Sequence, residues 1–178
     1  MVDNTILSIL FSTVAALVAT LTGLIGGFAT FRLQRIDAKL DFLKDYMLHK
    51  EVRGAKTLNQ KLRDAEYRHI EKIYLHNMEA VTLLKDIVEK FGYHNHSHEY
   101  AHDITNIERH QRKYEKIKKV TARDFLLSMS FVFITLGLLL ITNVISNFSW
   151  EWLLLVVFFS LAALVFYGFI AQVKTLID

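Results

Sequence analysis

The chain has 178 residues, of which 52% are hydrophobic, and its formal net charge is +3. It contains no cysteine, which excludes disulfide bonds and thiolate metal sites within this sequence. Three stretches, 5–31, 125–146 and 152–173, carry no charged residue, and each is long enough to cross a bilayer. The composition therefore indicates an integral membrane protein and excludes a purely soluble domain.

The first predicted element is a transmembrane helix over residues 5–32. The four residues before it include one acid and no basic residue, unlike the basic start of a secretory signal. Its uncharged stretch also far exceeds the roughly 7–15 apolar residues of a signal-peptide core. We therefore expect a permanent span rather than a cleaved signal.

A repeat with alternating steps of four and three residues runs through this helix and continues beyond it. This spacing is typical of a left-handed coiled-coil seam between helices. Its members are small up to Ala29 and large and apolar from Leu33 onward. The predicted seam consists of Ser8, Ser12, Ala15, Ala19, Thr22, Gly26, Ala29, Leu33, Ile36, Leu40, Leu43 and Met47. Small residues suit helix association in lipid, whereas large apolar residues drive it in water.

The small part of the seam has two interpretations. It packs closely against another helix, either a second copy or the chain's own later spans, or it borders a pore with Ser8, Ser12, Thr22 and Gly26 facing water. A second set of positions with the same four-three spacing lies beside the seam and also consists of small residues. It comprises Ser12, Ala16, Ala19, Gly23, Gly26 and Thr30. The small surface is therefore wide, and the first helix is expected to join copies of the chain into a homo-oligomer.

The next predicted element is a cytoplasmic helical domain over residues 33–124, which holds 19 of the 21 Lys and Arg residues and all eight His. No strand pattern and no proline interrupt it, and glycines predict turns near 54 and 92. The middle stretch, 56–91, is too long to run straight back to the membrane, so it either breaks near Asn77 or lies across neighbouring subunits. The fold class is therefore an all-α membrane protein, whose first transmembrane helix continues into a cytoplasmic helical bundle.

The second and third spans are predicted at 125–146 and 152–173, and an outer hairpin at 147–151 joins them into a C-terminal helical hairpin. Basic residues are concentrated near the end of the first span, the start of the second and the end of the third, and the outer hairpin has none. The positive-inside rule then places the N-terminus outside and both 33–124 and the C-terminus in the cytoplasm. The distribution of basic residues therefore favours a membrane that borders the cytoplasm.

Four histidines follow the second glycine turn: His94, His96, His98 and His102. His98 and His102 are four residues apart and share a helix face, as a metal-binding pair does. No second ligand pair has a fixed spacing, so we expect no bound metal and no other cofactor. A pH-sensing role for the cluster is the alternative.

Arg63 and His69, in the segment RDAEYRH, match the R-x(4–6)-H motif of HEPN ribonuclease domains. Those domains are all-helical and similar in size to residues 33–124, and the resemblance implies that the pair acts on RNA. On one unbroken helix, six residues turn through about 600°, which separates the two side chains by about 120°. We therefore expect a diverged domain without catalysis, and a membrane-anchored ribonuclease remains the alternative.

The basic run 109–123 lies directly before the second span. That position favours contact with anionic lipid head groups, and the acids Glu115 and Asp124 weigh against nucleic-acid binding. No DNA partner is expected.

The chain as a whole resembles the small membrane accessory protein of type VI-B CRISPR systems, in length, in its combination of spans with a HEPN-like helical region, and in the motif at Arg63 and His69. The resemblance implies an oligomeric pore in a bacterial inner membrane that strengthens antiviral defence when an RNA-guided, RNA-targeting nuclease is triggered. A non-conducting oligomeric scaffold or sensor is the further alternative.

Overall fold

The computed structural model describes residues 4–51, 56–68, 70–91, 97–141 and 151–177, and the regular structure within them is helical. The five α-helices are α1 (Asn4–His49), α2 (Leu58–Asp64), α3 (Met78–Phe91), α4 (Ser97–Leu140) and α5 (Glu151–Ile177), and a 3-10 helix (Ile70–Tyr74) precedes α3. Helices α1, α4 and α5 are long and apolar enough to cross a membrane. The predicted all-α class with three candidate spans is confirmed. The predicted turns near 54 and 92 and residues 147–150 of the outer hairpin predicted at 147–151 lie outside the described residues, and Glu151 is the first residue of α5.

The chain divides into two compact units. The first consists of residues 1–31 and 117–178, and the second of residues 32–116. Residues 117–124 thus belong with the candidate spans, although the sequence groups them with the polar domain. Gln172 Nε2 donates a hydrogen bond of 3.1 Å to Thr121 Oγ1, which links this part of α4 to α5.

The core of the first unit is built around aromatic side chains. The ring of Phe158 lies 4.9 Å from that of Phe11 and 5.4 Å from that of Phe131, measured between centroids. One residue from each of α1, α4 and α5 therefore meets at this point. The buried residues of this core are Leu7, Phe11, Val18, Ile25, Phe131, Phe158, Ala162, Val165 and Phe169.

The second unit has its own core, which the apolar faces of amphipathic helices form. Buried positions on α3 recur at helical spacing, as at Ala80, Leu84 and Ile87. Helix α1 contributes the large residues of the predicted seam, and α4 contributes its first turns. The other buried apolar residues of this unit include Ile36, Leu40, Met47, Leu48, Leu58, Leu62, Ile73, Val81, Val88, Tyr100, Ile104 and Ile107.

Local hydrogen bonds determine where the short helices begin. Thr57 and Gln60 form a capping box at the start of α2, in which each side chain accepts the other residue's backbone N–H. The side-chain oxygen of Asn77 accepts the N–H of Ala80 at 3.0 Å, and α3 begins at the next residue. The predicted break near Asn77 is confirmed.

A second break, which the sequence pattern did not predict, ends α2 at Asp64. Glu66 has a φ of 49°, in the left-handed region. The N–H of Tyr67 donates to the carbonyl of Leu62 at 2.9 Å, a bond that closes the end of the helix. The assumption of one unbroken helix from Arg63 to His69 is therefore wrong, and the angle of about 120° calculated from it does not apply.

Candidate assembly surface

The predicted seam on α1 changes character along its length. In its first part, Ser12 and Ala19 are exposed and Ala15 and Ala29 are buried. Ser8, Thr22 and Gly26 are half-buried. The chain turns Leu7, Phe11, Val18 and Ile25 inward instead, because these larger side chains fill the core around Phe158. The small residues of the seam therefore lie at the edge of the packing within one chain.

Beside that edge lies a stripe of small residues that the described chain leaves open. Gly23, Gly26 and Gly27 have no atom within 4 Å of the position that a Cβ would occupy, apart from the helix's own backbone and immediate neighbours. The exposed stripe, called the small face below, comprises Ser12, Ala16, Ala19, Gly23, Gly27 and Thr30. Steps of three and four residues place all six on one side of α1. A neighbouring helix could approach the backbone of α1 closely here.

The hydroxyl groups of this part of α1 are bonded within the helix itself. Thr22 Oγ1 donates to the carbonyl of Val18 at 2.7 Å, and Thr30 Oγ1 donates to that of Gly26 at 2.9 Å. Ser12 and Thr20 make equivalent bonds of 3.0 and 2.8 Å. Because these donors are already satisfied, they need neither water nor a partner helix to remain stable in lipid.

The part of α1 from Leu33 to His49 is called the aqueous half below, and the part before it the membrane half. The seam residues of the aqueous half are covered within one chain. Ile36, Leu40 and Met47 are buried in the core of the second unit, and Leu33 and Leu43 are half-buried. The surface that α1 leaves exposed in this half carries Phe42 and Tyr46, whose stacked rings lie 6.5 Å apart. The large residues of the repeat therefore stabilise the folded chain itself.

A charged flank of α1 binds the segment before α3. The two ring nitrogens of His76 lie 3.1 Å from carboxylate oxygens of Asp37 and Asp41, one nitrogen to each. The hydroxyl of Tyr74 donates to Asp45 Oδ1 at 2.5 Å. This cluster was not predicted from the sequence, although the spacing of the three aspartates, four residues apart, is a detectable signal of a common helix face.

Lys44 is fully buried beside this flank, and its ammonium group donates to the carbonyl of Leu75 at 3.0 Å. Burial lowers the pKa of Lys44 from its ordinary 10.5, because desolvation outweighs the attraction of Asp41 and Asp37. Burial, together with the hydrogen bond to Asp45, raises the pKa of Tyr74 to about 12. The flank is therefore a partly exposed polar contact between α1 and the segment before α3, with the buried Lys44 beside it.

The other candidate residues do not form a defined site among the described residues. Arg63 is exposed on α2, and His69 lies outside the described part of the chain. The side chain of His98 is also outside it, whereas His102 is exposed and its Nε2 accepts a hydrogen bond from Asn106 at 3.1 Å. The described residues include no group of three or more His, Asp or Glu that could hold a metal ion.

No protein-family model, curated protein or solved structure matches the chain. The features that bear on function are therefore those of α1. Its first half carries the open small face, and in its second half Ile36, Leu40 and Met47 are buried in the second unit.

Proposed function

We propose that the protein is an oligomeric membrane protein that assembles through the small face of α1 and forms a channel-like pore in a bacterial inner membrane. The exposed small face supports the assembly step. In lipid, helices associate mainly where small residues let their backbones approach closely, since there is no hydrophobic gain between them. The glycines at its centre have open space in front of them, which suits such an approach.

The resemblance to type VI-B accessory proteins favours a role in antiviral defence, with an RNA-guided, RNA-targeting nuclease as the functional partner. The distribution of basic residues favours a cytoplasmic second unit and an external N-terminus. Opening of the pore would then perturb the membrane of an infected cell.

A non-conducting scaffold or sensor is the second candidate, and one observation favours it. The hydroxyls of Ser12, Thr20, Thr22 and Thr30 already donate to carbonyls of their own helix. A face whose polar groups are satisfied in this way can pack against protein as readily as it can border water.

Cysteine cross-linking tests the assembly, because the sequence has no cysteine and an introduced thiol is unique within it. We expect Ala19→Cys to give covalent dimers under mild oxidation in native membranes. Leu24→Cys is the matched control, since Leu24 is 56% exposed but lies about 140° around the helix from Ala19. Equal cross-linking of both variants, or none with Ala19→Cys, would contradict assembly through the small face.

Liposome leakage separates the pore from the scaffold. The purified protein is reconstituted in liposomes that contain a small fluorescent dye, and particle imaging gives the number of subunits and shows whether an axial opening exists. A ring with an opening and dye release supports the pore. Assembly through the small face in liposomes that stay tight supports the scaffold and excludes the pore.

A further inference from the structure

A cleft with a volume of about 290 Å³ lies between the aqueous half of α1 and the middle of α4. Its lining consists of Arg32, Arg35, Ile36, Lys39, His110 and Lys113. All six belong to the second unit. Four of the six carry a permanent positive charge and none is acidic, so the cleft concentrates positive potential.

The cationic side of α1 is separate from the acidic flank that binds His76. At 100° per residue, Arg35 and Lys39 lie about 160° around the helix from Asp37. Among the described residues, Arg32, Arg35 and Lys39 make no ion pair and no side-chain hydrogen bond. The acids of α1 therefore do not neutralise these three cations by direct contact.

The α4 wall of the cleft provides a further hydrogen-bonding group. His110 Nδ1 lies 2.8 Å from the carbonyl of Asn106, so this nitrogen carries the hydrogen and donates it. Its Nε2 is left to accept a hydrogen bond. Ile36, which is 7% exposed, is the apolar member of the lining.

The position of the cleft along α1 indicates its ligand. Arg32 is the first residue after the uncharged stretch 5–31, and α1 continues through it as one helix. Lys39 lies about 10 Å further along the helix axis. The cations therefore begin where the apolar span ends, at the depth expected for lipid phosphates.

We propose that this cleft binds the phosphate group of an anionic membrane lipid. Arg32 and Arg35 present guanidinium groups that match phosphate oxygens in geometry, and Lys39 and Lys113 add point charges. This inference depends on the membrane location of α1 and not on the proposed pore. It also defines which basic residues of the chain form a site, since most of the basic run 109–123 lies outside the cleft.

The test measures the binding of phosphatidylglycerol to the full-length protein in detergent, by thermal stabilisation during lipid titration. Arg35→Gln/Lys39→Gln is the test variant, and Lys72→Gln/Lys90→Gln is the matched control. The control removes two exposed cations of the second unit that lie outside both the cleft and the basic run 109–123. Arg35→Lys/Lys39→Arg keeps both charges and reports whether the positions tolerate substitution.

We expect the test variant to bind phosphatidylglycerol roughly ten to thirty times more weakly than the wild type, as neutralising two cations near an anionic surface predicts. The control and the charge-conserving variant should stay within about threefold of the wild type. Equal losses in the test and control variants would overturn the site and indicate diffuse attraction to the lipid.

Three further probes distinguish the source of the ligand. Phosphatidylcholine has the same phosphate but no net charge, and it should stabilise the protein much less. Inorganic phosphate that stabilises the protein as well as the lipid does, at the same concentration, would overturn the lipid assignment in favour of a soluble anion. A short single-stranded RNA that binds more tightly than phosphatidylglycerol and loses affinity in the test variant would overturn it in favour of nucleic acid.

Discussion

The two halves of α1 carry the same four-three repeat, but the chain uses them differently. From Leu33 onward the repeat supplies large side chains, and the second unit buries Ile36, Leu40 and Met47. Before Phe31 the repeat consists of small residues, and the small face beside it stays exposed within one chain. A single sequence period thus contributes to the core of one chain in its aqueous half and leaves an open surface in its membrane half.

The difference shows that a helical repeat predicts a buried stripe without identifying what buries it. In water, Leu and Ile are covered by the nearest apolar surface, which here comes from the same chain. In lipid, exposed small residues cost no hydrophobic free energy, so the small face can remain open until another helix packs against it. Four substitutions test this difference between the two halves of α1.

Leu40→Ala should have the largest effect, since Leu40 is 0% exposed in the core of the second unit. We expect a loss of about 2–5 kcal/mol in the free energy of unfolding. Chemical denaturation in detergent, followed by circular dichroism, measures it. Phe42→Ala is the control, because Phe42 is 67% exposed, and its effect should be within about 1 kcal/mol. Similar losses in both variants would show that the aqueous half is covered by something other than its own chain.

Gly23→Leu should abolish assembly without destabilising the single chain. The open space at Gly23 accommodates a side chain, and replacing glycine within a helix stabilises it by up to about 1 kcal/mol. Light scattering after size-exclusion chromatography should show a monomer, whereas Leu24→Ala should keep the oligomer. An oligomer of unchanged size in Gly23→Leu would place the contact elsewhere on the molecule.

Lys44→Met should remove a pH dependence from the aqueous half. Because the pKa of Lys44 is lowered on folding, the unfolded chain keeps the proton to a higher pH than the folded protein. The free energy of unfolding of the wild type should therefore rise as the pH increases towards 10.5. Thermal unfolding between neutral pH and pH 10.5 should show this rise in the wild type and a smaller one in the variant. If the stability of the wild type and the variant changed with pH in the same way, Lys44 would be hydrated in the folded protein and not desolvated.

Tyr74→Phe should have the smallest effect, and of the opposite sign. Burial raises the pKa of Tyr74 from 10.0 to about 12, so the unfolded chain releases the phenolic proton first. The stability that this group contributes is present below pH 10 and is lost as the pH rises to about 12. The difference in melting temperature between wild type and variant should shrink across that interval. A constant difference would contradict a raised pKa for Tyr74.

The sequence alone predicts the helical class and the three candidate spans, because uncharged stretches of such length have few alternatives. It also located the break at Asn77, whose side chain caps α3 by a local hydrogen bond. The sequence did not predict that α2 ends at Asp64. Glu66, two residues further on, has a left-handed conformation that no residue pattern specified.

Which faces of α1 are covered depends on how distant parts of the chain pack against it. Phe11 packs against Phe158 of α5, and the core of the second unit covers Leu40. The repeat that looks like one continuous seam in the sequence is therefore buried in one part and left as an open surface in the other. The tertiary structure also joined Arg35 with His110 in one cleft, although 75 positions separate them in the sequence. A repeat or a basic run is a local property of the chain. Burial and the convergence of charges depend on which distant helix lies alongside, and that is determined by packing.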